Sequence, residues 1–159
     1  MKKVLKVLFL LIFTLSLQAC GSDAQASSIL ASGDFISLHS STYLSSGEYT
    51  NKRSEIFIDQ LDYENELLNY SNDTALTIDF TENKVLLVDM GRRPSGGNSI
   101  SVSKLENFDQ YALVTVTLSV PGDNCGTASV LTNPFEFIQI ATQKEILIKE
   151  EIIFIDCAS

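Results

Sequence analysis

One stretch concentrates residues suited to recognition: Arg92, Arg93, Pro94, Ser95, Gly96, Gly97 and Asn98, preceded by Gly91. Pro94 fixes its own φ and sets up a turn, while Gly96-Gly97 permits positive φ values that side chains forbid. The segment reads as a hairpin loop that presents two adjacent arginines on an otherwise acidic chain. Loops of this kind, held by a rigid scaffold, are where binding residues concentrate. Residues 92–98 are therefore the candidate partner-binding loop. Groups for bond-making chemistry are scarce by comparison. There is one histidine, His39, too few for a multi-histidine metal site, and it reads as a strand-end residue rather than a base. No P-loop, nucleophile elbow, His-Glu-x-x-His or Cys-x-x-Cys occurs, and no acidic pair has a spacing that marks acid–base work. The reading is a non-catalytic chain with no metal and no cofactor.

The three cysteines divide by context. Met1-Lys2-Lys3-Val4-Leu5-Lys6 is a short basic segment, and residues 7–17 are apolar except for Thr14 and Ser16. That is the n-region and h-region of a secretory signal, too short for a permanent span, which takes roughly 20 apolar residues. It closes on Leu17-Gln18-Ala19-Cys20, which resembles the lipobox of bacterial lipoproteins. Cleavage before Cys20 and lipid on its sulfur would tether the chain, since two or more acyl chains anchor stably where one does not. Gly21 in place of Asp favours the outer membrane. Cys125 and Cys157 remain; in an oxidising envelope compartment an even pair reads as a disulfide. It would close a loop of about 30 residues, worth roughly 3–4 kcal/mol. A catalytic thiol at Cys125 is the alternative.

Lys2, Lys3 and Lys6 would leave with residues 1–19, so the formal charge moves from −9 to −12. A basic footprint for nucleic acid is absent. Such a charge also repels anionic headgroups, which leaves anchoring to the lipid. Residues 20–33 are small and polar and read as the lipidated cysteine and a flexible tether. Residues 34–159 read as a single domain with a real core.

Within that domain β signals dominate. Phe35-Ile36-Ser37-Leu38 and Ile56-Phe57-Ile58 are short strands, with a turn at Ser45-Ser46-Gly47 between them. Asp59 suits an N-cap for one helix over Gln60 to Tyr70, in which Tyr63, Leu67 and Tyr70 form an apolar stripe widened by Leu68. Asp62 and Glu64 in its first turn suit the helix dipole. Val85-Leu86-Leu87-Val88 is apolar without alternation, as in a strand covered on both faces. Ile100 and Val102 alternate with serines, and Val114, Val116, Leu118 and Val120 with Thr115, Thr117 and Ser119. Residues 135–141 and 146–155 supply the last strands, with a bend expected at Lys149-Glu150-Glu151. No long helix separates strands, so parallel crossovers are not expected. The fold class is mainly β (β-rich α+β): an antiparallel β-sandwich or barrel-like domain with one packed helix.

Three ordered segments then resemble a known family. Asp79-Phe80, Lys84-Val85-Leu86-Leu87-Val88-Asp89-Met90-Gly91 and Arg93-Pro94-Ser95-Gly96-Gly97-Asn98-Ser99-Ile100 look like the PrcB C-terminal domain. Val120-Pro121-Gly122 and Leu131-Thr132-Asn133-Pro134-Phe135 fall where that family has a proline-bearing loop and a Thr-x-Pro-aromatic step. The family usually shows Gly-Gly-Tyr where this chain has Gly97-Asn98. The resemblance implies a non-catalytic lipoprotein of the bacterial cell envelope that stabilises or assembles a protease complex, its partner being a secreted or surface protease. The loop at 121–125 would assist that at 92–98. Pro94-Ser95-Gly96-Gly97 is also similar to a loop of chagasin-type cysteine-protease inhibitors, which makes an inhibitor the alternative, beside a structural envelope lipoprotein with no protease partner.

Overall fold

The computed structural model describes residues 35–157 except 47 and 49. The export signal, Cys20, the tether over 20–33 and Gly47 of the expected turn lie outside the described residues.

Among the described residues, seven strands and one helix follow in the order β1 (Phe35–Ser41), β2 (Arg53–Phe57), α1 (Gln60–Tyr70), β3 (Lys84–Asp89), β4 (Ser99–Asn107), β5 (Tyr111–Pro121), β6 (Phe135–Ile140) and β7 (Glu145–Ile155). They form two sheets, ordered β1-β6-β3-β2 and β4-β5-β7. No barrel closes among the described residues; the fold is a β-rich sandwich with the helix on the outer face of the four-stranded sheet. The unbroken apolar run of β3 follows from that layering. Leu86 and Val88 face the core between the sheets, with Ile138, Ile140, Val114 and Val116. Val85 and Leu87 face the helix, among Tyr63, Leu67, Tyr70, Phe135 and Phe137. A strand with both faces buried has no reason to alternate.

The helix starts where Asp59 accepts a hydrogen bond from the Asp62 N–H at 3.0 Å, capping a donor that the helix itself leaves open. Tyr63, Leu67 and Tyr70 are fully buried. Leu68, expected to widen the stripe, is instead 65 % exposed. Its side chain lies off the stripe that Tyr63, Leu67 and Tyr70 bury against the sheet.

Two other expectations need correcting. β5 and β7 are parallel, in register from Tyr111↔Glu145 to Pro121↔Ile155. The chain achieves this without a crossover helix because β6, in the opposite sheet, makes the return pass. No bend occurs at Lys149-Glu150-Glu151 either: β7 pairs with β5 through those residues without a register shift. His39 is a third case. It lies within β1 rather than at its end, just after a bulge at Ser37/His39. The bulge brings Leu38 and His39 to the same side of the sheet, where the His39 ring meets Tyr63 and Phe137 with centroids 6.4 and 6.5 Å away.

A second bulge, between Val102 and Lys104 in β4, bears on acid stability. There the Val102 N–H donates across the sandwich to the Glu136 carboxylate at 3.0 Å. Burial pushes the Glu136 carboxyl above its ordinary 4.5, against the opposing pull of the Ser37 hydroxyl and the Val102 N–H. The folded state thus holds this proton more tightly than the unfolded chain does, and the group's contribution to stability falls as pH rises above 4.5. Glu136→Gln keeps a carbonyl acceptor for Val102 without a charge to bury. Its denaturation midpoint should equal or exceed that of the parent at pH 7, with the advantage shrinking towards pH 4, as read by urea titrations at both pH values.

Candidate functional site

The loop over 92–98 leaves β3 at Gly91, whose φ is +71° and where a Cβ would meet the Lys52 backbone nitrogen at 2.5 Å. Only glycine fits both constraints. From there the loop does not stand alone. Arg93 forms an antiparallel bridge with Thr132, its N–H donating to the Thr132 carbonyl at 2.8 Å and its carbonyl accepting at 3.0 Å. The Gly96 N–H donates to the Ala128 carbonyl at 3.0 Å, and the Thr132 hydroxyl to the Ser95 carbonyl at 3.1 Å. The segment joining β5 to β6 therefore runs alongside the β3–β4 loop as an improvised ladder. Residues 92–98 and 121–125, separate in the sequence, lie side by side in the fold.

A third element joins them. The Gly122 N–H donates to the Ile155 carbonyl at 2.9 Å, and Asn124 Nδ2 to the Cys157 carbonyl at 3.0 Å. Cys125 and Cys157 are bonded as a disulfide. Cys125 is therefore no free thiol, and the catalytic alternative for it falls. The bond fastens the end of β7 to the β5–β6 loop. Between the disulfide and the turn at Gly97 lies an open pocket of about 300 Å³, walled by Gly96, Gly97, Pro121, Ala128, Ile155 and the two cysteines among others. Gly97, at φ +84°, lies so close that a Cβ there would meet the Pro121 ring at 2.8 Å. None of the lining residues carries a side chain that titrates while the disulfide is intact. A pocket of this make-up can seat an apolar side chain and has no group for proton transfer. An adjoining depression of about 360 Å³ is more polar, bordered by Arg93, Pro94, Ser95, Asn98 and Asp123 among others.

The predicted loop residues have unequal roles. Arg92, Pro94 and Gly97 are exposed. Arg93 instead turns its guanidinium back to donate to the Met90 carbonyl at 2.8 Å. Asn98 is 7 % exposed, and its amide donates to the Ser95 carbonyl at 3.0 Å, closing the turn from within. Arg93 and Asn98 shape the loop, and Arg92 and Pro94 are what it shows to solvent.

What fixes the whole end of the sandwich is a buried carboxylate at the last residue of β3. Asp89 is 1 % exposed. Its Oδ1 accepts from the Gly91 N–H and from Asn133 Nδ2, both at 2.7 Å. Its Oδ2 accepts from the Tyr70 hydroxyl at 2.6 Å and from the Thr50 hydroxyl. Asn133 Oδ1 in turn accepts from the Thr50 N–H at 3.0 Å. Burial, and donation to Asp89, push the Tyr70 phenol up to about 12, so it stays a donor throughout the working pH range. Arg53 extends the network outward, donating to the Tyr70 oxygen at 3.1 Å and pairing with Glu55 at 2.9 Å and with Glu66. Neither Asp89 nor Asn133 has a role legible in the sequence, although both lie in the segments that resemble the family. Among the described residues no group of three or more His, Cys, Asp and Glu side chains forms a metal site.

Residues 84–141 match the family model described as PrcB C-terminal. No curated protein and no solved structure matches the chain. The matched segment runs from the start of β3 to the residue after β6, so it contains both paired loops together with Asp89 and Asn133, while α1, β7 and Cys157 lie outside it. The resemblance read from the residues of β3, of the loop at 93–98 and of the Thr132-Asn133-Pro134 step is thus borne out: residues 84–141 are similar to the PrcB C-terminal family.

Proposed function

We infer that this chain is a non-catalytic binding and assembly subunit of a protease complex at the bacterial cell envelope, held there by lipid on Cys20. The family match supports association with a protease complex. The observation that carries the reading further is the placement of the two family-matched loops: they lie side by side and are pinned from beneath by Asp89. A surface whose ordering cost is met before binding keeps more of its contact energy as affinity. In this reading Arg92 and Pro94 meet the partner, and the apolar pocket beside the disulfide takes one of its side chains.

The test is co-purification of the full chain in mild detergent from envelope extract, with bound proteins identified by mass spectrometry. A protease recovered in near-equal amount supports the subunit reading. Arg92→Glu should reduce that recovery by about tenfold, the size of effect that loss of one interfacial charge contact gives. Recovery unchanged by Arg92→Glu and by Pro94→Ala would remove this loop from the interface. The recovered protease, assayed with and without the chain, separates a helper, which preserves activity, from an inhibitor, which abolishes it.

A further inference from the structure

Beyond the loop cluster, β7 presents an edge that the described residues leave open. Among the described residues it is the last strand of its sheet and pairs only with β5. The Ile155 carbonyl accepts from Gly122 on the β5 side, so the odd-numbered residues of β7 direct their backbone groups inward. Ile146, Ile148, Glu150, Ile152 and Phe154 then direct theirs to the free edge. Natural sheets blunt long apolar edges, because an open row of donors and acceptors templates another strand. Here four consecutive apolar residues end the strand, with Ile152 60 % and Phe154 73 % exposed, and Ile153 and Ile155 also open to solvent.

We propose that this edge pairs with the same edge of a second copy, antiparallel and centred on Glu150, joining two three-stranded sheets into one. The sequence of β7 is self-complementary about that residue. With Glu150 on the two-fold axis, Lys149 lies opposite the partner's Glu151, and the same pair repeats by symmetry. On that face Leu147 meets the partner's Ile153. On the other face Ile148 meets the partner's Ile152, and Ile146 meets the partner's Phe154. Directly opposed side chains of opposite charge or matched apolar character are the favourable cross-strand pairs. Moving the register by two residues sets Lys149 against the partner's Lys149, or Glu151 against the partner's Glu151, and loses both ion pairs. The one like-charge pair in the centred register is Glu150 with itself, and Lys52 of the same chain already neutralises each Glu150. Within one copy Lys149 and Glu151 pair at 2.7 Å across two strand positions, and both side chains are exposed on the outer face.

The test uses the full chain in detergent. Its protein mass, measured by light scattering with the detergent contribution subtracted, should be that of a dimer. Lys149→Glu and Glu151→Lys should each weaken the dimer by about tenfold or more, because each converts two opposed ion pairs into two repulsions. The double variant Lys149→Glu/Glu151→Lys should restore it, a result that misfolding cannot produce. Glu150→Cys should cross-link to itself on mild oxidation, since hydrogen-bonded antiparallel partners have Cα atoms about 5.5 Å apart, within disulfide range. A monomer at all concentrations would overturn the proposal. So would a dimer indifferent to the charge swaps or unable to cross-link through residue 150. Neither measurement involves a protease, so its failure leaves the proposed function to be judged on its own test.

Discussion

Replacing Asp89 by alanine should destabilise the protein by about 3–5 kcal/mol, the range observed when one side of a buried charged network is deleted. Four donors end on this carboxylate: the Gly91 N–H, Asn133 Nδ2, the Tyr70 hydroxyl and the Thr50 hydroxyl. Alanine leaves them without an acceptor in a site that is 1 % exposed, and each buried orphan carries its own desolvation penalty. The loss is a large share of the roughly 5–15 kcal/mol that holds a domain together. Asp89→Asn should fall in between, because the amide retains one acceptor oxygen but points an NH2 group at donors. Urea denaturation followed by far-ultraviolet circular dichroism reads both variants. An Asp89→Ala loss below about 1 kcal/mol would mean that water replaces the carboxylate and that the loop base does not depend on it.

That network also shows where sequence reading stops. The double-sided burial of β3 is visible in Val85-Leu86-Leu87-Val88 because two apolar environments leave a local mark, the missing alternation. The helix is visible for the same kind of reason: Asp59 caps it, and Tyr63, Leu67 and Tyr70 recur at its period. The partners of Asp89 leave no such mark. Thr50 and Asn133 lie 39 and 44 residues away, and nothing in either neighbourhood states that they converge. An acidic residue ending a buried strand before Met90-Gly91 was the available signal, since a carboxylate in that position must find donors. The parallel pairing of β5 with β7 is hidden more deeply. Strand direction here depends on β6 crossing to the other sheet, a choice made by the three-dimensional path and not by any pattern within β5 or β7. Arg93 shows the limit for the site itself. Composition put both arginines on the surface, yet the Met90 carbonyl captures one of them and leaves the display to Arg92.

Loss of the disulfide is the second large effect, and it should separate stability from site geometry. Cys125 and Cys157 are 32 residues apart, and cross-linking such a loop restricts the unfolded chain by an amount worth roughly 3–4 kcal/mol. The double variant Cys125→Ser/Cys157→Ser should lower the urea midpoint accordingly, and reduction of the parent protein should lower it by a similar amount. The consequences are unlike those of Asp89→Ala because of where the bond sits. Asp89 holds the start of the β3–β4 loop and, through Asn133, the segment entering β6. The disulfide holds the far side, tying the β5–β6 loop to the end of β7 and forming one wall of the apolar pocket. The Arg93–Thr132 bridge and the Asp89 network do not pass through it. The cysteine-free protein should therefore keep the fold and the Arg92 surface below its new midpoint, while amides of residues 122–130 exchange with solvent much faster than in the parent. Hydrogen–deuterium exchange resolves the two regions. Faster exchange spread evenly over β3 and β6 as well would mean that the bond stabilises the sandwich as a whole. Faster exchange confined to the loop would assign the disulfide to the pocket, and partner recovery with that variant would then measure what the pocket adds to binding.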